Sequence, residues 1–221
     1  MKLLHIVATP REARSNTLPV ATDFIDALHT QHSGLEVDVV DLFRSDLPAV
    51  AGTNIEVKYD LMVGGAIDKD HAESWGRIEH LIADFLAADI YVITCPMWNF
   101  SIPYALKYYI DCLVQPGYVF QYNEQGYPVP MVHGKKLICI TSRGADYGPD
   151  SPMNVLDFQE PYLRAIFGFI GITDIEFVNA QPMDVTPELR AAAVSSARER
   201  LEALSATIAS DRVGAPLDPI S

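Results

Sequence analysis

With 221 residues, 49% of them hydrophobic, the chain can bury a sizeable core and fits one large domain better than two. Its 16 Lys and Arg stand against 29 Asp and Glu, a formal net charge of −13, the wrong sign for a surface that neutralises nucleic-acid phosphates or anionic lipid. Cys95, Cys112 and Cys139 lack metal-ligand spacing and fit buried thiols in a reducing compartment, and no apolar run approaches membrane-spanning length, so a soluble cytoplasmic protein is expected.

In chain order, Leu3 to Ala8 is an apolar run of strand length. Leu18, Ala21, Ile25 and Leu28 then fall on one helical face, with Ser15 or Asn16 placed as N-cap. A second run, Leu35 to Val40, leads into a long surface connection from Pro48 to Asp70, where Gly52, Gly64 and Gly65 leave room for one short helical piece. Ile78, Leu81, Ile82, Phe85 and Leu86 repeat the helical spacing before the third strand, Ile90 to Cys95, and Pro103 opens the helix that follows it. From Gly117 to Met131, Tyr118, Phe120 and Tyr122 alternate ahead of the turn signature Asn123-Glu124-Gln125-Gly126, which predicts a small β excursion. Leu137 to Thr141 and Ile175 to Val178 complete the strands, and Leu189 to Ile208, rich in Ala, Glu and Arg, forms a closing helix. Residues 1–212 make a single domain, and 213–221, with two prolines and no periodicity, a surface tail.

Strand alternating with helix predicts a doubly wound, five-stranded parallel sheet with helices on both faces, because each crossover is right-handed and must bury its apolar stripe. The flavodoxin-like order 2-1-3-4-5 is the leading arrangement, and ligands of such sheets bind in the crevice at the carboxyl ends of the strands.

Three loops fall there. After strand one, Thr9-Pro10-Arg11-Glu12-Ala13-Arg14-Ser15-Asn16-Thr17 precedes a helix N-terminus, where unpaired N–H groups and a partial positive charge favour a phosphate; Thr9, Ser15 and Thr17 would be its hydroxyl donors. The alternative is that Ser15 only caps the helix and Thr9 only ends the strand. After strand three, Met97, Trp98 and Phe100 offer apolar surface to a flat heteroaromatic ring, while the Asn99 amide and the backbone N–H groups offer directional hydrogen bonds. Plain core packing explains the aromatics equally well, although an amide among them must find partners or carry a penalty of roughly 1–3 kcal/mol. After strand four, in Thr141-Ser142-Arg143-Gly144-Ala145-Asp146-Tyr147-Gly148, Gly144 lets the backbone approach a ligand and Tyr147 could cover a ring face; alone, the segment reads as a turn.

The loops lack Gly-x-Gly-x-x-Gly and Gly-Lys-Ser/Thr, which favours a monophosphate over a dinucleotide or a nucleoside triphosphate. There is no Gly-x-Ser-x-Gly or His-Glu-x-x-His; the six His residues have no metal-ligand spacing and read as surface or linker residues, and the acidic residues read as solvated faces. A phosphodiester hydrolase would need a metal site or an activated nucleophile, and neither is visible.

Taken together, Pro96-Met97-Trp98-Asn99-Phe100-Ser101-Ile102-Pro103 with Leu106-Lys107, Phe120-Gln121-Tyr122 with Glu124 and Gly126, Thr141-Ser142-Arg143-Gly144, and Pro161-Tyr162-Leu163 through Gly168 to Asp174 resemble the FMN-dependent NADH:quinone oxidoreductases, or azoreductases, over nearly the whole chain. The resemblance implies bound FMN, with its phosphate at Ser15 and Thr17 beside Thr9 and Asn16, the isoalloxazine lined by Pro96 and Met97 to Phe100, and its pyrimidine side on Ser142 to Ala145. It further implies a homodimer in which Tyr122 and Phe169 help form the substrate pocket, Phe169 from the partner subunit. Thr9 and Thr17 stand where serines are common, Trp98 replaces a tyrosine and Ala145 a glycine. The hydroxyl changes keep a donor, whereas Trp98 and Ala145 bear on substrate preference.

The activity so implied moves a hydride from NADH or NADPH through FMN N5 to a quinone or azo compound, by a ping-pong mechanism. Backbone N–H groups of Gly144 and Ala145 would stabilise negative charge on the reduced ring. The alternative is a flavodoxin-like electron carrier without substrate turnover. The connection from Pro48 to Asp70 and the excursion around Tyr118 to Tyr122 favour the enzyme.

Overall fold

The computed structural model describes residues 1–211; the expected tail at 213–221 lies outside the described residues. The main sheet takes β1 (Lys2–Val7), β2 (Glu36–Asp41), β3 (Ile90–Pro96), β6 (Lys136–Ser142) and β7 (Asp174–Ala180), all parallel, in the order β2-β1-β3-β6-β7. With the two hairpin strands set aside, this is the predicted 2-1-3-4-5.

Period-two burial explains why both faces are covered. In β3, Tyr91, Ile93 and Cys95 join one core while Ile90 and Val92 join the other, and in β6 Leu137 and Cys139 separate from Ile138 and Ile140 in the same way. The first core is roofed by α3 (Ala72–Ala87), α4 (Tyr104–Leu113) and α5 (Gln159–Ile170) through residues such as Ile78, Leu106 and Phe167. The second lies under α1 (Leu18–Gln31) and the closing helix α6 (Pro187–Asp211) through Phe24, Leu28, Leu201 and Leu204. The connection after β2 carries the expected helical piece, α2 (Asn54–Met62), and the β excursion is an antiparallel hairpin of β4 (Phe120–Tyr122) and β5 (Pro128–Pro130). Asn123 shapes its turn by accepting the N–H groups of Gln125 and Tyr127 on Oδ1.

One histidine departs from the surface reading. His5 sits in β1 between Leu4 and Ile6, only 5% exposed, because the strand is buried on both faces and leaves no solvated side for it. Its Nε2 meets Thr94 Oγ1 at 2.8 Å, and burial pushes its pKa down to about 4 from 6.5. A proton therefore binds the unfolded chain more tightly, so stability is complete above pH 6.5 and declines as pH falls towards 4. The loss reaches about 3 kcal/mol. Urea unfolding at pH 7 and pH 4.5 should show a smaller acid-induced loss in His5→Gln than in the parent; equal losses would contradict it.

Candidate functional site

The register of the central strands brings the three loops together. Pro96 pairs with Ser142 at the ends of β3 and β6, and Val7 with Thr94 one strand over, so the loops leave the sheet nearly level. Two hydrogen bonds join them at once: Ala8 N–H to the Thr94 carbonyl, and Met97 N–H to the Ser142 carbonyl at 2.8 Å.

In the first loop Thr9, Ser15 and Thr17 are all buried hydroxyls. The N-cap of α1 is Thr17, not Ser15 or Asn16, because Pro19 is best tolerated in the first turn and sets the start at Leu18. Ser15 Oγ accepts the Leu18 N–H at 3.2 Å and lies 3.4 Å from Thr17 Oγ1. The oxygen that caps the helix is thus also one of the buried hydroxyls beside the helix start, and its proton is not used in the bond to Leu18. A single 3-10 turn, Glu12–Arg14, coils the loop, and the Glu12–Arg44 ion pair ties it to the segment after β2.

The second loop turns back on itself: Trp98 and Ser101 exchange both backbone hydrogen bonds at 2.9 Å, and the two residues between them, Asn99 and Phe100, carry φ of 47° and 69°. Asn tolerates that left-handed backbone, whereas Phe holds it at a cost of order 1–3 kcal/mol, strain of the kind that collects at functional sites. The Asn99 side chain is exposed, so the anticipated buried-amide penalty does not arise. Trp98 is held against Phe43 at a ring separation of 6.0 Å, and Phe100 packs edge-on to Tyr147 of the third loop at 6.4 Å.

In the third loop the Arg143 side chain turns inward and is 1% exposed. Nη1 donates to Asp157 Oδ2 at 2.8 Å, and Nε donates to Thr141 Oγ1 and Gln159 Oε1. The Arg143 backbone N–H donates to the Ala180 carbonyl at 3.0 Å, so with the guanidinium turned into the fold the residue contributes to the cleft as wall. The absence of a side chain at Gly144 leaves room for the Asp184 carboxylate, whose Oδ2 would stand 2.9 Å from a Cβ built there. That carboxylate belongs to the loop after β7, which folds over the site as Met183 N–H donates to the Arg143 carbonyl and Asp184 N–H to the Gly144 carbonyl.

The cleft between the loops encloses about 150 Å³. Thr9, Ser15, Asn16, Pro96, Met97, Trp98, Ser142, Arg143 and Gly144 line it, whereas Thr17, Asn99, Phe100, Ala145 and Tyr147 stand outside its lining. Arg11, Met183 and Asp184 also line it and were not singled out; the last two lie past strand five, beyond the three loops that the strand order had pointed to. Tyr122 and Phe169 do not reach the cleft. They gather around Phe120, at ring separations of 5.6 and 4.8 Å, on an exposed aromatic patch. A larger concavity of about 570 Å³ opens between β2 and α3 and shares no residue with the cleft. The smaller cleft is the better candidate because unspent donors lie on its walls and on the loops that form them: the backbone N–H groups of Asn16 and Gly144 in its lining, and of Thr17, Asn99, Phe100 and Ala145 close to lining residues in the chain, meet no protein acceptor among the described residues.

Residues 1–204 match a family model described as the flavodoxin-like fold, and this chain is a flavodoxin-like protein. It is 39% identical over 201 residues to the FMN-dependent NADH:quinone oxidoreductase of Nitratidesulfovibrio vulgaris strain Hildenborough, covering 89% of this chain and 96% of that one. With Pseudomonas fluorescens FMN-dependent NADH:quinone oxidoreductase 3 the identity is 32%, over 94% of this chain and 97% of that one. The chain therefore belongs to the family of FMN-dependent NADH:quinone oxidoreductases. Among solved structures, an FMN-dependent NADH-azoreductase from Bacillus anthracis in complex with FMN superposes with a TM-score of 0.83 at 24% identity, over 94% of this chain and 99% of that one, a likeness of fold.

Proposed function

We propose that this chain is an FMN-dependent oxidoreductase that takes a hydride from NADH and delivers it to a quinone or azo acceptor, working as a homodimer in the cytoplasm. The observation that carries the reading is the set of six unspent N–H donors on three adjoining loops, beside buried hydroxyls at the start of α1. This donor set suits a phosphate at one end and a polar ring edge at the other. The enclosed volume, below the roughly 300–1,000 Å³ usual for whole-ligand sites, suits the narrow phosphate-bearing part of FMN and leaves a ring to the open ground between the loops.

Bound FMN would supply reversible hydride acceptance at N5. The chain's own residues would do the rest. Ser15 and Thr17 hold the phosphate with the Asn16 and Thr17 N–H groups, Met97 and Trp98 exclude water from one side of the ring, and the Gly144 and Ala145 N–H groups favour negative charge on the far edge. Tyr122 and Phe169, held away from their own chain's cleft, are supplied to the site of a second copy. Phe158 and Tyr104 are exposed as well, which adds to the apolar surface that a second copy could cover.

Purified protein should be yellow, bleach with NADH and recolour with a quinone, and initial-rate lines at several quinone concentrations should be parallel because the two substrates share one slot. Intersecting lines would remove the shared slot. A colourless protein indifferent to added FMN would remove the reading altogether. Flavin binding without steady NADH consumption would favour the electron-carrier alternative.

Asp184 adds a prediction of its own. Its carboxylate faces a site meant for a dianion, with Arg190 3.5 Å away as its ion-pair partner. Asp184→Asn should tighten FMN severalfold and raise the flavin reduction potential, because one repulsive charge is gone. A lowered potential in spectroelectrochemical titration would reverse that assignment.

A further inference from the structure

We propose that Gln159 is a positioning residue for the slot between the two ring-facing loops. The inference rests on the FMN reading above. Gln159 is the second residue after Asp157, wholly buried at the start of α5, a helix outside the three loops. Its carboxamide bridges two groups that cannot reach each other. Oε1 accepts from Arg143 Nε at 3.1 Å, and Nε2 donates to the Pro96 carbonyl at 2.9 Å and lies 3.6 Å from Cys95 Sγ. The orientation of the amide is forced, because a guanidinium has only donors and a carbonyl only acceptors. One side chain thus pins the last residue of β3 to the first residue beyond β6.

The neighbours of Gln159 complete the clamp. Phe158 N–H donates to the Phe100 carbonyl at 3.0 Å, so residues 158 and 159 grip both ends of the loop that carries Met97 and Trp98. Asp157 holds Arg143 through Oδ2 while its Oδ1 accepts the N–H groups of Gln159 and Glu160, which fixes the helix start from which the clamp is made. The direct tie between the loops, Met97 N–H to the Ser142 carbonyl, lies at the sheet itself. The Gln159 bridge adds a directional point of attachment to that tie and to the edge-on contact of Phe100 with Tyr147, and further points set a separation and an angle where one would leave a hinge. A ring seated between the loops then reads any change in their spacing as lost contact and altered polarity, without Gln159 touching it.

The test is a pair of variants with flavin readouts. Gln159→Met keeps length and removes both hydrogen bonds. Gln159→Glu keeps the acceptor for Arg143, adds an ion pair, and replaces the donor to Pro96 with an acceptor. Fluorescence titration should show FMN binding weakened by about tenfold in both, with shifted visible bands and reduction potential. Gln159→Glu should lose stability as well, because a buried carboxylate oxygen then faces the Pro96 carbonyl, so a separate stability control is needed. Leu201→Ala, in the core on the opposite face and destabilised at least as much as Gln159→Met, should leave FMN affinity and spectrum within about twofold. Parent-like flavin affinity and spectrum in both Gln159 variants would overturn the proposal, as would an equal loss in Leu201→Ala. If the parent protein itself takes up no FMN, the functional reading has failed; if the parent binds and the variants match it, only the role of Gln159 has.

Discussion

Replacing Arg143 with methionine should lower the free energy of unfolding by about 3–5 kcal/mol, the usual result of deleting one partner of a buried ion pair. The magnitude follows from what is left behind. Asp157, with its side chain 8% exposed, would keep a charge with no guanidinium opposite it, and Gln159 Oε1 would lose its donor. Attraction is not the main term, since desolvating both groups offsets most of it; the cost is the orphaned carboxylate. Arg143→Met combined with Asp157→Leu should therefore recover a large part of the loss, even though Asp157 also caps α5. Urea unfolding of the parent and the two variants decides the matter. A single variant within 1 kcal/mol of the parent, a bound set by the usual range for surface pairs, would show the pair to be far wetter than its burial implies.

Ser15→Ala and Thr17→Val should each weaken FMN binding by about ten- to a hundred-fold, because a charge-assisted hydrogen bond to a phosphate contributes roughly 1.5–3 kcal/mol. The two substitutions separate in stability. Ser15→Ala also strands the Leu18 N–H and should lower stability by about 1 kcal/mol. Thr17→Val removes no contact shorter than the 3.4 Å approach to Ser15 and keeps the shape of its buried site. Riboflavin, which lacks the phosphate, provides the control: its affinity should be nearly the same for both variants and the parent. Unchanged FMN affinity in both variants would place the phosphate elsewhere.

What could be read from the residues, and what could not, divides along a physical line. Strand and helix periodicities are local, so β1, β3 and β6, the amphipathic helices and the hairpin turn at Asn123 were all legible, and their alternation led to the sheet order. That the first two loops would line a cleft was legible for the same reason, since hydroxyls before a helix and aromatics after a strand are adjacent in the chain. Arg143 shows where this stops. The sequence places it beside Gly144 in a ligand-facing turn, but which way a guanidinium points depends on Asp157 and Gln159, whose approach is set by the packing of α5. Asp184 and Met183 reach the cleft only because the loop after β7 folds back over Gly144, which no spacing in the chain announces. The amide of Asn99 stands out in the sequence, whereas its position asks for its tolerance of a left-handed backbone.

The hairpin at Trp98 to Ser101 has a kinetic meaning. A wall already bent into its final form, with two reciprocal bonds and two left-handed residues locked in during folding, has little left to rearrange when a guest arrives. Capture should then proceed in one bimolecular phase whose observed rate rises linearly with guest concentration, without the plateau that marks a slow opening step.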